Sequence, residues 1–316
     1  MKVVALAGGV GGAKLAHGLS RNLSPRNLTV VVNTGDDFEF LGLKICPDLD
    51  TVCYTLGGLA DKERGWGRAG ETWHALEALQ ELGASTWFRV GDRDMATHIE
   101  RTRRLSAGQA LHEVTSDFCR AWKVGPTVLP MSDQAVPTRV ETDQGVLPFQ
   151  EYFVKEKCQP AVKGFEFQDA DRAQPAPGVI SALEGAKLVV ICPSNPWVSI
   201  DPILAISPIQ DILAEKPVLA VSPIIGGKAV KGPAAKMYRE MGIQPSALAV
   251  ARHYGALIDG LIIDEEDRNL LEDIRTLQPH APEVFVAHTW MKTEDDRVRF
   301  GEEVLTFGKS LMTRRL

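Results

Sequence analysis

The sequence predicts a Rossmann-like α/β fold, doubly wound around a mainly parallel sheet, and three observations predict it. Four short apolar runs, residues 3–7, 28–33, 188–192 and 218–221, are rich in β-branched residues and lack the polar alternation of a half-exposed strand, as strands covered on both faces do. The first run stops at a glycine-rich turn that opens a helical pattern, the signature of a βα unit. The later runs end in loops rich in Pro, Ser, Gly or His, the kind that carries ligand contacts at one edge of an open sheet.

Taken in order, residues 3–7 are the first strand, Gly8-Gly9-Val10-Gly11-Gly12-Ala13-Lys14 the turn, and Leu15, Leu19 and Leu23 the apolar stripe of the first helix. Ser24-Pro25-Arg26-Asn27 breaks that helix, and residues 28–33 return as a second strand, completing a βαβ unit. Trp73, Leu76 and Leu79 give an amphipathic helix over 72–82, residues 86–90 read as a strand, and residues 95–122 read as two helices broken near Ala107-Gly108. From residue 125 the pattern changes. Pro126, Pro130, Pro137, Pro148 and Pro160 punctuate short alternating segments, so a small β-rich or irregular insertion is expected over residues 125–178. The strand rhythm then resumes at 188–192 and 218–221, with weaker strands expected at 247–251 and 283–287. The whole reads as a single α/β domain over residues 1–316, its sheet assembled from both ends of the chain.

At 316 residues, folding should bury roughly 75% of the unfolded surface, so the core needs no disulfide or metal staples. Lys and Arg total 35 against 41 Asp and Glu, a net charge of −6 that argues against nucleic acid as the main partner while leaving room for a local basic pocket around one small phosphate ligand. Cys46, Cys53, Cys119, Cys158 and Cys192 are odd in number and never spaced Cys-x-x-Cys, so reduced, mostly buried thiols are expected rather than a disulfide framework or zinc knuckle. The N-terminal apolar run is too short for a signal peptide, and no run approaches the roughly 20 residues of a membrane span. A cytoplasmic protein with no membrane partner is expected.

The segments that carry chemistry lie at strand ends. Four glycines without Cβ let backbone N–H groups and a helix N-terminus approach a phosphate, and Lys14 could add a compact positive charge. The turn departs from the Walker pattern, because Leu15 stands where Ser or Thr would hold magnesium, and from Gly-x-Gly-x-x-Gly, because Lys14 takes the last place. A tight turn with no ligand is the alternative. Asn33-Thr34-Gly35-Asp36-Asp37 and Pro47-Asp48-Leu49-Asp50-Thr51 read as two acidic loops, and carboxylates joined by substrate phosphates are a common way to hold Mg²⁺. Taken singly, each aspartate could equally cap a helix or form an Asx turn.

In Gly91-Asp92-Arg93-Asp94-Met95-Ala96-Thr97-His98, Asp94 suits a helix N-cap, while Arg93 and His98 are candidate ligand contacts. Pro193-Ser194-Asn195-Pro196 follows one strand and Ser222-Pro223-Ile224-Ile225-Gly226-Gly227-Lys228-Ala229-Val230-Lys231-Gly232-Pro233 another; the second loop, with three glycines and two lysines, reads as a second anion cradle. No Gly-x-Ser-x-Gly elbow, His-Glu-x-x-His helix or Cys-His pairing supports acyl transfer or zinc hydrolysis. Phosphoryl-type chemistry needs chiefly positioning, a metal and cations around a diphosphate.

Together with Tyr54-Thr55-Leu56-Gly57-Gly58 and Arg64-Gly65-Trp66-Gly67, these segments, in this order, resemble the 2-phospho-L-lactate transferase family of coenzyme F420 biosynthesis. The resemblance implies transfer of a phospholactyl-type or phosphoenolpyruvate-derived group from a guanosine diphosphate-activated donor to the deazaflavin Fo, releasing GMP and forming F420-0 or its dehydro form. It implies Mg²⁺ held by Asp36 and Asp50, with Asp36, Asp37 and Asp50 the catalytic positions and Asp37 or Asp50 the candidate to orient the attacking ribityl hydroxyl. Gly8, Gly9, Gly11, Gly12 and Lys14 would face the guanosine diphosphate portion with Ser222, Gly226, Gly227, Lys228, Lys231 and Gly232, and Ser194 and Asn195 would lie nearby. Arg93, Asp94 and Thr97 would line the deazaflavin side, and Asn33, Thr51, Tyr54 and His98 complete the substrate-binding set. A homodimer is expected. A nucleotide-sugar-binding regulator of the wider family is the alternative, against which the Asp50 segment and residues 91–98 argue. A dinucleotide oxidoreductase is disfavoured by the missing third glycine.

Overall fold

The computed structural model describes residues 1–314. One parallel sheet of seven strands runs through it: β1 Val3–Ala7, β2 Leu28–Val32, β3 Thr127–Pro130, β4 Leu188–Ile191, β5 Val218–Val221, β6 Gly260–Asp264 and β7 Glu283–Ala287, in the order β7-β6-β5-β4-β1-β2-β3. The order runs outward in both directions from the neighbours β1 and β4. That reversal opens a crevice between the loops leaving those two strands, where open α/β sheets bind ligands. The doubly wound fold the sequence predicts is therefore present.

β1 shows why the apolar runs lack alternation. Val4 and Leu6 join the core on one face of the sheet, while Val3, Ala5 and Ala7 join the core on the other. Helix α1 (Gly9–Asn22) and the C-terminal helix Glu294–Arg314 cover the second face, and their backbones meet at two glycines. A Cβ on Gly18 would fall on the Arg297 carbonyl oxygen, and one on Gly301 would lie 2.6 Å from the Gly18 backbone. The Asn22 amide then donates to the Val298 carbonyl (2.8 Å), tying the two helices.

Several local expectations are corrected. Residues 247–251 are not a strand but the start of the helix Ala247–Tyr254, whose Ser246 hydroxyl accepts from the Ala249 N–H (3.1 Å); three alanines and an N-cap favour the helix. The strand on that side is β6, a short run opening on glycine that carries no turn signal of its own. Residues 86–90 form no strand. Trp87 and Phe88 pack instead on Phe38 and Phe40 of the hairpin Phe38–Phe40/Leu43–Ile45, with ring centroids 4.9–5.8 Å apart. Residues 47–51 are not a loop but the first turn of α2 (Pro47–Leu56), where a leading proline and Asp48 and Asp50 favour a helix start. Helix α3 is His74–Glu81, and α4 (Asp92–Ser106) has Gly91 at its N-cap, which puts Asp94 inside the first turn rather than at the cap. Helix α5 spans Leu111–Ala121.

Residues 127–130 belong to the central sheet as its edge strand β3, where a terminal proline is tolerated. The separate three-stranded antiparallel sheet is made of Val162–Phe167, Thr138–Thr142 and Gly145–Pro148. All five cysteines are free thiols and four are buried. No helix among the described residues is long and apolar enough to cross a membrane.

Candidate active site

A cavity of about 650 Å³ opens at the crevice between β1 and β4. The turn after β1 gives it Gly8, Gly9, Gly11 and Lys14, the loop after β2 Asp36, and the first turns of α2 Asp48 and Thr51. From the second half of the chain come Ser194, Asn195 and Ser199 after β4, Ser222, Val230, Lys231 and Gly232 after β5, and Trp290 and Met291 after β7. Flat apolar rings complete it: Trp66, Trp87, Phe88, Phe149 and Phe153, with Arg89 among them.

The glycine turn is tight for a different reason than phosphate approach alone. A Cβ on Gly8 would strike the Asp48 carboxylate and the Ser199 side chain, one on Gly11 the Pro193 carbonyl oxygen, and one on Gly12 would lie 2.6 Å from the Ser194 hydroxyl. The Ser194 hydroxyl accepts from the Gly8 N–H (3.1 Å) and donates to the Gly8 carbonyl (2.8 Å), so the loops after β1 and β4 are clasped directly. Asp48 reaches across from α2 to accept from the Gly9 N–H (2.6 Å) at the N-terminus of α1. Glycine is required here because protein surfaces meet at van der Waals distance.

Two buried carboxylates face the cavity. Asn33 sits behind them and spans both, its amide nitrogen lying 3.3 Å from Asp36 Oδ1 and 2.9 Å from Asp48 Oδ2 while its oxygen accepts from the Gly35 N–H (2.8 Å). Gln150 donates to the other Asp36 oxygen (3.1 Å). Burial, reinforced by the charges of Asp48 and Asp37, pushes the Asp36 carboxyl well above the usual carboxylate range, and burial raises Asp48 to about 7. No lysine or arginine among the described residues pairs with either one. Lys44 pairs instead with Asp37 (3.3 Å).

Lys14 donates to the Met291 carbonyl (2.7 Å). Burial, with the charges of Arg297 and Lys231 adding to it, draws its pKa below the ordinary lysine value. Two cations thus crowd one region that also lines the cavity, which is an invitation to an anion.

Behind the cavity lies a second charged group. Both oxygens of Asp50 are gripped by the Arg101 guanidinium, which also lies 3.2 Å from His98 Nδ1. The Tyr54 hydroxyl donates to Asp94 (2.6 Å), 3.5 Å from His98 Nε2. Asp50, Asp94 and His98 can each offer a ligand atom within 4.8 Å of the others, so they form a possible metal-binding group. The guanidinium already holds the place of a cation on Asp50, however. Asp36 and Asp48 fit a hard divalent ion better: both are oxygen donors, both line a cavity with room for waters and phosphates, and their mutual repulsion has no cation to relieve it.

Of the residues singled out in the sequence, Gly8, Gly9, Gly11, Lys14, Asp36, Thr51, Ser194, Asn195, Ser222, Lys231 and Gly232 meet at the cavity. Gly12 packs beneath the turn and Asn33 behind the carboxylates. Asp37, Asp50, Tyr54, Asp94, Thr97 and His98 do not line it, and Arg93 is exposed, its guanidinium donating to the Ala69 carbonyl (3.1 Å). Gly226 and Gly227 form the turn of a small hairpin and Lys228 opens its second strand; none of the three lines the cavity, although their neighbours Ile225 and Ala229 do. The sequence reading did not select Asp48, Gln150, Arg101 or the rings. Asp48 lay inside a motif already noted, whereas Gln150 carries no local signal at all.

The model of a family described as 2-phospho-L-lactate transferase CofD matches residues 3–299. A phosphoenolpyruvate transferase of Thermobifida fusca is 48% identical over 281 residues, covering 84% of this chain and 87% of that protein. One of Streptomyces griseus is 46% identical over 282 residues, covering 87% and 89%. Among solved structures, a UPF0052-family protein from Bacillus halodurans aligns with a TM-score of 0.62 at 16% identity, covering 96% of this chain and 99% of that one, which is a likeness of fold.

Proposed function

Because the chain belongs to the CofD family of 2-phospho-L-lactate transferases, we propose that this transferase moves a phosphoenolpyruvate- or phospholactate-derived group from a guanosine diphosphate-activated donor to the deazaflavin Fo in F420 biosynthesis. The names of its relatives at 40–48% identity, phosphoenolpyruvate transferases, favour the enolpyruvyl form of the donor. One observation carries the reading: a single cavity combines a buried carboxylate pair, two lysines and a set of flat apolar rings. That is the inventory for a diphosphate, its counter-ion and a planar acceptor.

Asp36 and Asp48 would hold Mg²⁺, which when bound neutralises the diphosphate and the departing GMP. Lys14 and Lys231 face the donor phosphates. The aromatic residues hold the deazaflavin and exclude water from the reacting phosphorus. Attack by the ribityl hydroxyl forms the new P–O bond as the P–O bond to GMP breaks, the hydroxyl proton passing to the departing GMP phosphate or to water, with no covalent enzyme intermediate. Asp37, paired with Lys44 and off the cavity, takes no part in orienting that hydroxyl.

Binding of Fo, followed by its fluorescence with and without Mg²⁺ and GDP, tests the proposal, and mass spectrometry of the product then identifies the donor. Saturable Fo binding and a product of the expected mass are the expected results. GDP or a nucleotide sugar bound without any Fo binding would instead support the regulatory binder.

Lys231 and Lys228 differ sharply despite standing three residues apart. Lys231→Ala is expected to weaken GDP binding about tenfold, as loss of a charge-assisted contact does, and Lys228→Ala by less than about twofold. Calorimetric titration of both variants checks this, and equal losses would count against the placement of the donor phosphates.

A further inference from the structure

Trp66 belongs to the cavity wall but comes from the connection between α2 and α3 rather than from a strand end. The residue is 40% exposed. The connection is fastened on both flanks. Asp61 accepts from the N–H groups of Glu63 (2.9 Å) and Arg64 (2.8 Å), and its carboxylate pairs with the Arg64 guanidinium (2.8 Å). Arg64 lies over the Trp66 and Trp73 rings, and Arg68 over those of Tyr54 and Trp122.

Between these fastenings, Gly65 and Gly67 bracket Trp66 with φ of 73° and 68°, left-handed conformations that glycine adopts without strain and from which it can depart more freely than other residues. Across the cavity, Lys231 rests on Gly65: a Cβ there would fall on its ammonium nitrogen. An exposed indole on a glycine-flanked tip, facing a cavity that holds other flat rings, has the geometry to stack on a planar heteroaromatic molecule and cover it from water.

We propose that Trp66 is a substrate-contacting residue, carried on a tip (residues 64–67) that closes over the planar heteroaromatic part of the acceptor and presses it against the rings of the cavity wall. The inference rests on the function proposed above and specifies it. Lys231, which rests on the tip and whose charge acts on Lys14, joins this cover to the anion-binding part of the cavity.

The test titrates Fo and GDP separately against the wild-type chain, Trp66→Ala and Trp66→Phe, and times tryptic cleavage after Arg64 and Arg68 with and without Fo. Trp66→Ala is expected to weaken Fo binding roughly tenfold or more and Trp66→Phe about threefold or less, with GDP affinity held within about twofold in both. Fo should slow cleavage in the wild type but not in Trp66→Ala. Unchanged Fo affinity in Trp66→Ala, parallel losses for Fo and GDP, or cleavage indifferent to Fo would each overturn the inference while leaving the transferase reading intact. Wild-type protein that binds GDP but no Fo would overturn both.

Discussion

Asp36→Asn is expected to lower turnover by more than about 100-fold while leaving the melting temperature at pH 8 unchanged or higher. The two effects have opposite signs for one reason: the carboxylate pair is costly to the fold and useful to the chemistry. Both carboxyls are raised above the unfolded value near 4, so between about pH 4 and pH 7 the folded chain binds more protons than the unfolded one. Stability contributed by these groups is therefore present at low pH and lost as pH rises through that window. For Asp48 alone, a rise to about 7 corresponds to a cost on the order of 4 kcal/mol at pH 8.

Asparagine at position 36 keeps the shape and removes one charge. Gln150 can turn its amide to match, so no buried donor need be left unpaired. Melting scans at pH 5.5 and pH 8, with and without Mg²⁺, read the result. The wild type should lose stability at the higher pH and recover it with Mg²⁺; the variant should lose less, because only Asp48 of the pair still titrates, and should gain nothing from Mg²⁺. A variant that melts well below the wild type at pH 8 would mean that the pair serves the fold and not the ion.

Arg101→Met carries the largest expected loss of stability, about 3–5 kcal/mol, because it strands the Asp50 carboxylate in a site that is almost wholly buried. For a chain of this length the melting temperature should fall by roughly 5–8 °C. Asp50→Ala strands the guanidinium instead and should cost a similar amount. The double variant Arg101→Met/Asp50→Leu removes both charges and should recover most of the loss. Thermal melts of the three variants form the cycle, and a double variant no better than either single one would show that the pair is not the unit of stabilisation. Asp50 is thus expected to act on stability, in contrast to Asp36.

The contrast between Asp48 and Asp50 shows how far the sequence could be read. Both stand in the motif 47–51, and both were acidic enough to hold a metal. As a loop the segment gives no ground for choosing between them. As the first turn of a helix, where successive residues are about 100° apart, side chains two positions apart point to nearly opposite sides. Asp48 therefore meets the cavity and Asp50 meets Arg101.

The strand ends and the glycine turn were legible because apolar runs and glycines are local signals. The rings were not: Trp66, Phe149 and Trp290 reach one cavity from loops far apart in the chain, and no periodicity announces such a meeting. The Gly91–His98 segment was expected at the acceptor, whereas Asp94, Thr97 and His98 lie in the α2–α4 contact, where Asp94 accepts from Tyr54 while Thr97 Oγ1 and His98 Nε2 have no hydrogen-bond partner among the described residues.

The clasp between Gly8 and Ser194 also bears on biosynthesis. β1 leaves the ribosome some 180 residues before its partner β4, a delay of roughly 10–40 s at ordinary rates of synthesis. Through that interval β1 can pair with β2 and then β3, but its other edge waits open. The Met291 carbonyl that receives Lys14 follows that lysine only after 277 residues. A nascent chain can therefore hold β1, β2 and β3 of the sheet before the second half of the cavity exists, with one edge of β1 open to other pairing.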